Sequence, residues 1–299
     1  MGIVCVGQSA FDIIVPVQEP IIDNQKYCIQ TEMQCAGGPA LNAACLCARW
    51  GAPVQLVSRI GKDAYGRKLR GILQSYGVGT GYLIPDEETM TPYSYIFVNT
   101  KTGNRTIFNR PAVFADVTYQ EEGLNPDVIL SDGHEDRISV ELIQRYPEAV
   151  SVIDAGTCRE ATLHVAKHVD YLVCSENFAR QYTAEAINLD DWEACKRIFQ
   201  KVKQINDKTA VITLGDRGLL YEEDGMLKRL KAYPVKAVDT TGAGDIFHGA
   251  FAYGLYQKLT LSENLKQSSA ASAISVQTLG GQISIPELKT VKQLLDFII

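Results

Sequence analysis

The sequence predicts a three-layer α/β body with a mostly parallel central sheet, carrying a small β-sheet lid. Three observations predict it. Short apolar runs recur along the chain, separated by segments with apolar residues at helical spacing, which is the signature of strand–helix alternation. Two stretches depart from that rhythm and alternate apolar with polar residues, as half-buried strands do. The chain from residue 244 onward is helical throughout.

The elements follow in order. Residues 3–6 form an apolar run ended by Gly7, a short buried strand feeding a loop. Residues 11–34 and 92–111 are the two alternating stretches, rich in β-branched and aromatic residues. The second reads as a hairpin, with Tyr93-Ser-Tyr-Ile-Phe-Val, a turn near Gly103, and Arg105-Thr-Ile-Phe108. These pieces predict a small antiparallel lid (11–34 and 92–111) inserted in a body of residues 1–10, 35–91 and 112–299. Residues 39–50 are Ala/Leu-rich and helical, 54–60 a strand and 64–76 a helix. Residues 128–130, 150–153, 171–174 and 210–214 are buried strands with helical spans between them. Residues 246–256 and 262–278 carry helical periodicity. No internal repeat or low-complexity tract is found.

The composition narrows the function. Of 299 residues, 46% are apolar and 21% charged, a balance that excludes wholesale disorder. No run of about 18 apolar residues exists to span a membrane, and the first residues lack the pattern of a secretory signal. The formal charge is −6 with no Lys/Arg block, which argues against nucleic acid or anionic membrane as partner. An anionic ligand must therefore be held by local donors or a metal. Eight cysteines are present without a CxxC pair, so a structural zinc site is not expected. Cys5, Cys45, Cys47 and Cys174 fall inside apolar strand or helix runs and read as buried free thiols. That usage points to a reducing cytoplasm.

The sharpest segment is Asp239-Thr-Thr-Gly-Ala-Gly-Asp245, followed by Ile246-Phe-His-Gly-Ala-Phe251. Gly242, Ala243 and Gly244 can turn consecutive backbone N–H groups toward one point at a helix N-terminus, a concavity that binds an anion. Asp245 could equally be an ordinary N-cap. The rest of the chain decides between the two. Together with Cys35-Ala-Gly-Gly-Pro-Ala-Leu-Asn42, Arg59-Ile-Gly-Lys-Asp63-Ala-Tyr-Gly66 and Thr213-Leu-Gly-Asp-Arg-Gly218, the segment resembles the ribokinase, or PfkB, family of carbohydrate kinases. The resemblance runs from Val6 to about Pro286, through four motifs in the family's order.

The resemblance implies an ATP-dependent kinase for a hydroxyl on a small sugar, with Mg²⁺ accompanying ATP. Asp245 matches the base that deprotonates the sugar hydroxyl. Gly242, Ala243 and Gly244 match the anion hole that stabilises the transferring phosphoryl group, as phosphoryl transfer requires. Asp12, Gly38 and Asn42 match sugar contacts. Thr213, Gly215 and Gly218 match the strand and loop beneath the nucleotide. Ser175 and Glu176 occupy the place of an Asn-x-x-Glu element that organises Mg²⁺ through water. Ser175 stands where Asn is usual and Phe178 where Glu is. An N-cap Ser175 with Glu176 in the first helical turn is an equally good reading. Asp239, Thr241, Ser275, Gly280 and Ser284 match a loop that binds a monovalent cation, K⁺, in many members.

The lid bears on the substrate. Arg105, Asn109 and Arg110 lie on its hairpin, where a guanidinium could clamp a phosphate or sulfonate or remain a solvated surface charge. The lid, the 154–159 stretch and the 279–286 ending resemble sulfofructose-kinase-like members, although His134 stands where an Arg is expected for the sulfonate. A fructokinase-like member acting on a ketohexose fits as well. A nucleoside kinase, with Phe11 or Tyr27 as stacking platform, and a non-catalytic sugar sensor are the remaining alternatives. Ile14, Tyr95, Phe97 and Phe108 put apolar residues on both faces of a lid too small to stand alone, which predicts lid-to-lid dimerisation.

Three other patterns carry nothing. The Gly-rich run 77–81 follows a helix rather than a strand and so fails as a dinucleotide fingerprint. No Walker A pattern occurs. His164 and His168 sit four apart without a third ligand and read as surface residues.

Overall fold

The computed structural model describes residues 2–102, 104–115, 119 and 123–296. The body is a nine-stranded sheet with helices on both faces. Its strands are β1 (Ile3–Val6), β4 (Val54–Gly61), β5 (Leu83–Asp86), β8 (Val128–Ser131), β9 (Val150–Ala155), β10 (Tyr171–Ser175), β11 (Thr209–Thr213), β12 (Leu219–Glu223) and β13 (Met226–Leu230). They lie in the order β13-β12-β11-β10-β9-β8-β1-β4-β5. All neighbouring pairs are parallel except β11–β12 and β12–β13. These strands read as nearly unbroken apolar runs because both faces are covered: β1 and β8 are buried at every residue.

Helices α1 (Pro39–Arg49), α2 (Ala64–Tyr76), α7 (Ala243–Tyr256), α8 (Leu261–Ser275) and α9 (Leu288–Asp296) pack into the core of one face. Helices α3 (Asp136–Arg145), α4 (Glu160–Ala166), α5 (Glu176–Thr183) and α6 (Trp192–Lys203) cover the other. Helix α7 is apolar nearly all round, with Ile246, Phe247, Ala250 and Phe251 buried, because α1, α8 and the sheet enclose it. Helix α2 shows how local sequence sets its ends. Asp63 caps it by accepting from the Gly66 N–H (2.8 Å), and Gly77 ends it in the left-handed conformation (φ 82°). Cys5, Cys45, Cys47 and Cys174 are buried and unbridged, as read from their apolar surroundings.

The lid is a four-stranded sheet of β2 (Ala10–Val17), β3 (Met33–Gly37), β6 (Tyr93–Asn99) and β7 (Arg105–Arg110), in the order β3-β2-β6-β7. It corrects the sequence expectation in two respects. The sheet is not purely antiparallel, because β2 and β6 pair in parallel. Both strands leave the body at the same place, where the Phe11 N–H donates to the Pro92 carbonyl (2.9 Å), so they must run the same way. In addition, β3 keeps residues 35–37 in the lid sheet, and residues 18–32 form no strand. The expected turn residue Gly103 lies outside the described residues. The β12–β13 hairpin, β5 and α9 were not legible in the sequence pattern.

Among the described residues no helix is long and apolar enough to cross a membrane, and no cluster of three or more His, Cys, Asp or Glu could hold a metal ion. His164 is an exposed partner of Asp136 (2.8 Å).

Candidate active site

In the sheet order, β1 has its chain neighbour β4 on one side and β8 on the other, so the connections diverge at β1/β8. In open α/β sheets the crevice beyond the carboxyl ends of such strands is where ligands bind. Three things meet there: the loop after β1, Asp132 after β8, and the N-terminus of α1. Asp132 is buried and accepts from the Gln8 N–H (2.8 Å), the Ala40 N–H (3.1 Å) and the His134 N–H (2.9 Å). Gly38, the N-cap of α1, has no side chain to cap with, so Asp132 supplies that oxygen from a distant part of the chain. Burial pushes the Asp132 carboxyl up, but the neighbouring His134 ring and the N–H donors outweigh it and hold the group below its usual range.

Helix α1 then carries Asn42 inward. Its side chain is 3% exposed, and its Nδ2 donates to Asp245 Oδ2 at 2.6 Å. The other amide atom, Oδ1, is buried with no partner among the described residues, and a buried acceptor left unpaired invites a ligand donor. Asp245 itself sits in the first turn of α7. The N-cap is Gly242, not Asp245, so the ordinary capping reading of the motif does not hold. Burial and the nearby Asp154 charge push the Asp245 carboxyl up, the Asn42 bond and His248 oppose them, and the net value is about 7.

Gly242 has to be glycine. Its φ is +74°, and a Cβ there would meet the Gly281 Cα at 2.8 Å. The turn brings Gly242, Ala243 and Gly244 to the head of α7, whose first N–H groups have no helical acceptor. Ala243 and Gly244 also line a cavity of about 420 Å³. Thr213, Gly215 and Gly218 line it too, with Leu219, Tyr233, Val235, Phe247 and Val276 supplying apolar walls. The nucleotide-side residues named from sequence, Ser175 excepted, thus share one cavity with the glycine-rich loop. Tyr233 and Val235 lie in a stretch without regular structure, where periodicity gives no signal.

Ser175 is the N-cap of α5, accepting from the Phe178 N–H (3.0 Å) and donating to the Gly156 carbonyl (2.8 Å). The Glu176 carboxylate is engaged by Arg217. The pairing occupies Glu176 Oε2, so a metal-bound water would donate to Oε1. The expected K⁺ residues partly converge. Asp239 is 2% exposed, and its carboxylate accepts from the Thr241 N–H (2.9 Å), the Thr241 hydroxyl (2.7 Å) and the Gly280 N–H (2.8 Å). The hydroxyls of Ser275 and Ser284 turn instead to the Ser272 and Gly281 carbonyls, each at 2.8 Å. The result is a closed corner of hard oxygen atoms that braces the 239–244 turn.

On the lid, sheet register aligns Asp12, Ser94 and Asn109 across three strands. The Ser94 hydroxyl lies 3.4 Å from Asn109 Oδ1, and Asp12 packs so close to Gly37 that any Cβ there would strike its carboxylate. Burial pushes the Asp12 carboxyl up to about 6, against the Ser94 bond. Arg110 is exposed, its guanidinium 5.8 Å from the Tyr93 ring centre. Arg105 reaches across to the body and donates to the hydroxyls of Thr240 (3.0 Å) and Thr241 (3.2 Å). Phe11 is buried and stacked on Tyr65 (4.6 Å), and the Tyr27 hydroxyl accepts from the Ile22 N–H and donates to the Pro20 carbonyl. Phe11 offers no face to a nucleobase. Sequence reasoning missed the convergence of Asp132, Asp154 and His248 at this crevice. The position of Asp132 just past a buried strand was the available signal.

A profile described as pfkB family carbohydrate kinase matches residues 2–288. The ribokinase of Lactococcus lactis subsp. lactis is 27% identical over 275 residues, covering 86% of this chain and 84% of its own. The solved ribokinase of Thermotoga maritima superposes with a TM-score of 0.82 at 26% identity, covering 98% of this chain and 99% of its own. The Arabidopsis thaliana ribokinase, solved with ribose and ATP, gives 0.83 at 23% identity, covering 99% and 98%.

Proposed function

The chain belongs to the pfkB family of carbohydrate kinases, and we propose that it transfers the γ-phosphoryl group of ATP to a hydroxyl of a ketohexose or related small sugar. The observation that supports this most is the position of Asp245. Its carboxylate lies in the first turn of α7, next to Gly244, which lines the cavity, and it faces Asn42. A carboxyl titrating at about 7 is matched to taking up a proton at neutral pH.

The sugar lies between the lid row Asp12, Ser94 and Asn109 and the body residues Gly38 and Asn42. Asp12 and the Asn42 oxygen accept hydrogen bonds from its hydroxyls. Asp245 removes the proton of the attacking hydroxyl as its oxygen bonds to the γ-phosphorus, and the bond from that phosphorus to the β–γ bridging oxygen breaks, releasing ADP. The N–H groups at Gly242, Ala243 and Gly244 and the dipole of α7 receive the charge on the transferred group. Arg105, hydrogen-bonded to Thr240 and Thr241, places a guanidinium at the same turn rather than at the far end of the sugar. ATP brings its own Mg²⁺, and no step is assigned to Glu176. A K⁺ ion held by Asp239 and carbonyls of the 275–284 stretch would stiffen the turn. Turnover that is equal in K⁺ and in choline salts removes that role.

A second reading, a ketose already carrying a 6-phosphate or 6-sulfonate, is favoured by the exposed Arg110 beside Asn109 on the lid. ADP release measured over neutral ketohexoses, pentoses, nucleosides, inositols and 6-phospho or 6-sulfo ketoses decides between them, with Asp245→Asn as control. Turnover on a neutral sugar supports the first reading, and turnover only on an anionic one the second. Sugar binding without turnover would replace both by a sensor. We also propose that two copies associate through the lid, which forms a unit inserted in the body.

A further inference from the structure

We propose that His248 and Asp154 form a buried ion pair that positions the head of α7 and sets the pH at which Asp245 works. The proposal rests on the reading of Asp245 as the base. His248 is 3% exposed and lies one turn after Gly244 on α7. Its Nδ1 is 2.7 Å from the Gly244 carbonyl and 3.2 Å from Asp154 Oδ2, and its Nε2 is 3.2 Å from the Val173 carbonyl. Carbonyl oxygens only accept. A ring with an acceptor at each nitrogen satisfies both only by donating from both, which is the imidazolium form. Asp154, at the end of β9, supplies the compensating charge that a buried cation requires.

The pair joins three parts of the site. Gly244 belongs to the glycine-rich turn, Val173 to the middle of β10, and Asp154 to the strand next to it. One ring therefore pins the first turn of α7 to two sheet strands, and Asp245 is the residue after the pinned carbonyl. Electrostatically the two members act on Asp245 in opposite directions, Asp154 disfavouring its charge and His248 favouring it. The other groups facing this cluster are Asp132 just after β8, His134 two residues beyond it, Arg159 ahead of α4, and the neutral Asn42 from α1. Asp132 adds to the Asp154 effect on Asp245; burial, with Asp132, pushes the Asp154 carboxyl itself up, and His248, His134 and Arg159 oppose that rise. His248 is thus a positioning residue: it is buried and does not line the cavity.

The test compares the pH dependence of kcat/KM for the wild type, Asp154→Asn, His248→Gln and the double variant, with Mg·ATP and the sugar that the panel turns over. The acid limb reports Asp245 in the free enzyme. It should move to lower pH by about one unit in Asp154→Asn and to higher pH by about one unit in His248→Gln. In the double variant the two shifts should largely cancel. A merely structural role would lower kcat in both variants with the limb unmoved, and that result overturns the proposal, as does movement of both limbs in the same direction. In parallel, ¹⁵N NMR of the imidazole nitrogens in the unmutated protein at pH 7 should show His248 carrying a proton on each nitrogen. A single-proton ring there also overturns it. The NMR result stands if a variant fails to fold. It also stands if no sugar is turned over, in which case the kinase reading falls and the ion pair is judged on the spectrum alone.

Discussion

Asp245 is held in a place that costs folding energy, and that cost gives the proposed base a signature apart from activity. Asp245→Asn should lower turnover by about 10²–10⁴-fold, the usual loss of a general base. The same substitution should stabilise the fold at neutral pH. An acid whose folded value is raised binds protons in the native state that the unfolded chain has already released, so stability is lost as pH rises from the unfolded value, about 4, through the folded one, about 7. At pH 8 the asparagine variant avoids that cost. After allowance for partial solvent screening the gain is about 1–2 kcal/mol, or a rise in Tm of a few degrees. The gain should vanish at pH 4, where the native carboxyl is protonated. Thermal scans at the two pH values check this, and an equal Tm at pH 8 contradicts it. Gly242→Ala tests the turn. A Cβ would meet Gly281 in a backbone conformation that alanine resists, so turnover should fall about 10²-fold while the circular dichroism stays native. The motif marked Gly242 as a turn glycine ahead of a helix, but its close approach to Gly281 depends on two loops 39 residues apart in the chain and could not be read locally.

At the scale of elements, the lid strand β7 links lid to body. All six of its residues are exposed, yet Arg105 is tied to Thr240 and Thr241 beside the glycine-rich turn. Arg105→Ala should therefore reduce kcat by about tenfold or more, the value of a charge-assisted hydrogen bond, with little change in KM for the sugar. A raised KM at constant kcat would move Arg105 to sugar binding instead. Asn109 and Arg110 should behave in the opposite way, because register aligns Asn109 with Asp12 and Ser94 on the lid sheet. The alternation of β7 was plain in the sequence. The parallel pairing of β2 with β6 was not, since strand direction follows from where each strand leaves the body.

At the scale of the whole molecule, the lid leaves Ile107 (47%) and Phe108 (56%) open on an edge strand. Open sheet edges with apolar side chains are templates for association. Light scattering at micromolar concentration should give twice the 32.9 kDa chain mass, and Phe108→Glu should return it to one. A wild-type monomer contradicts lid association. One face of the four-stranded sheet rests on a small core of Ile14, Cys35, Ile96 and Val98, while Phe11, Ile13 and Val15 on the other face join the main core.

The sequence by itself determined the α/β body, the inserted lid, the glycine-rich turn before a helix and the residues on it, because apolar periodicity and glycine placement act over a few neighbouring positions. It also determined that Cys5, Cys45, Cys47 and Cys174 are buried thiols, since each lies in a run that only a core can accommodate. The tertiary structure alone decided that Asp245 faces Asn42 rather than capping its helix, that Glu176 pairs with Arg217, that Asp132 caps a helix begun 93 residues earlier, and that His248 meets Asp154. Each of those is a contact between groups far apart in the chain. Such pairs are chosen by the crossing of strands and helices at the sheet's carboxyl edge, where burial makes the partner of every polar group count.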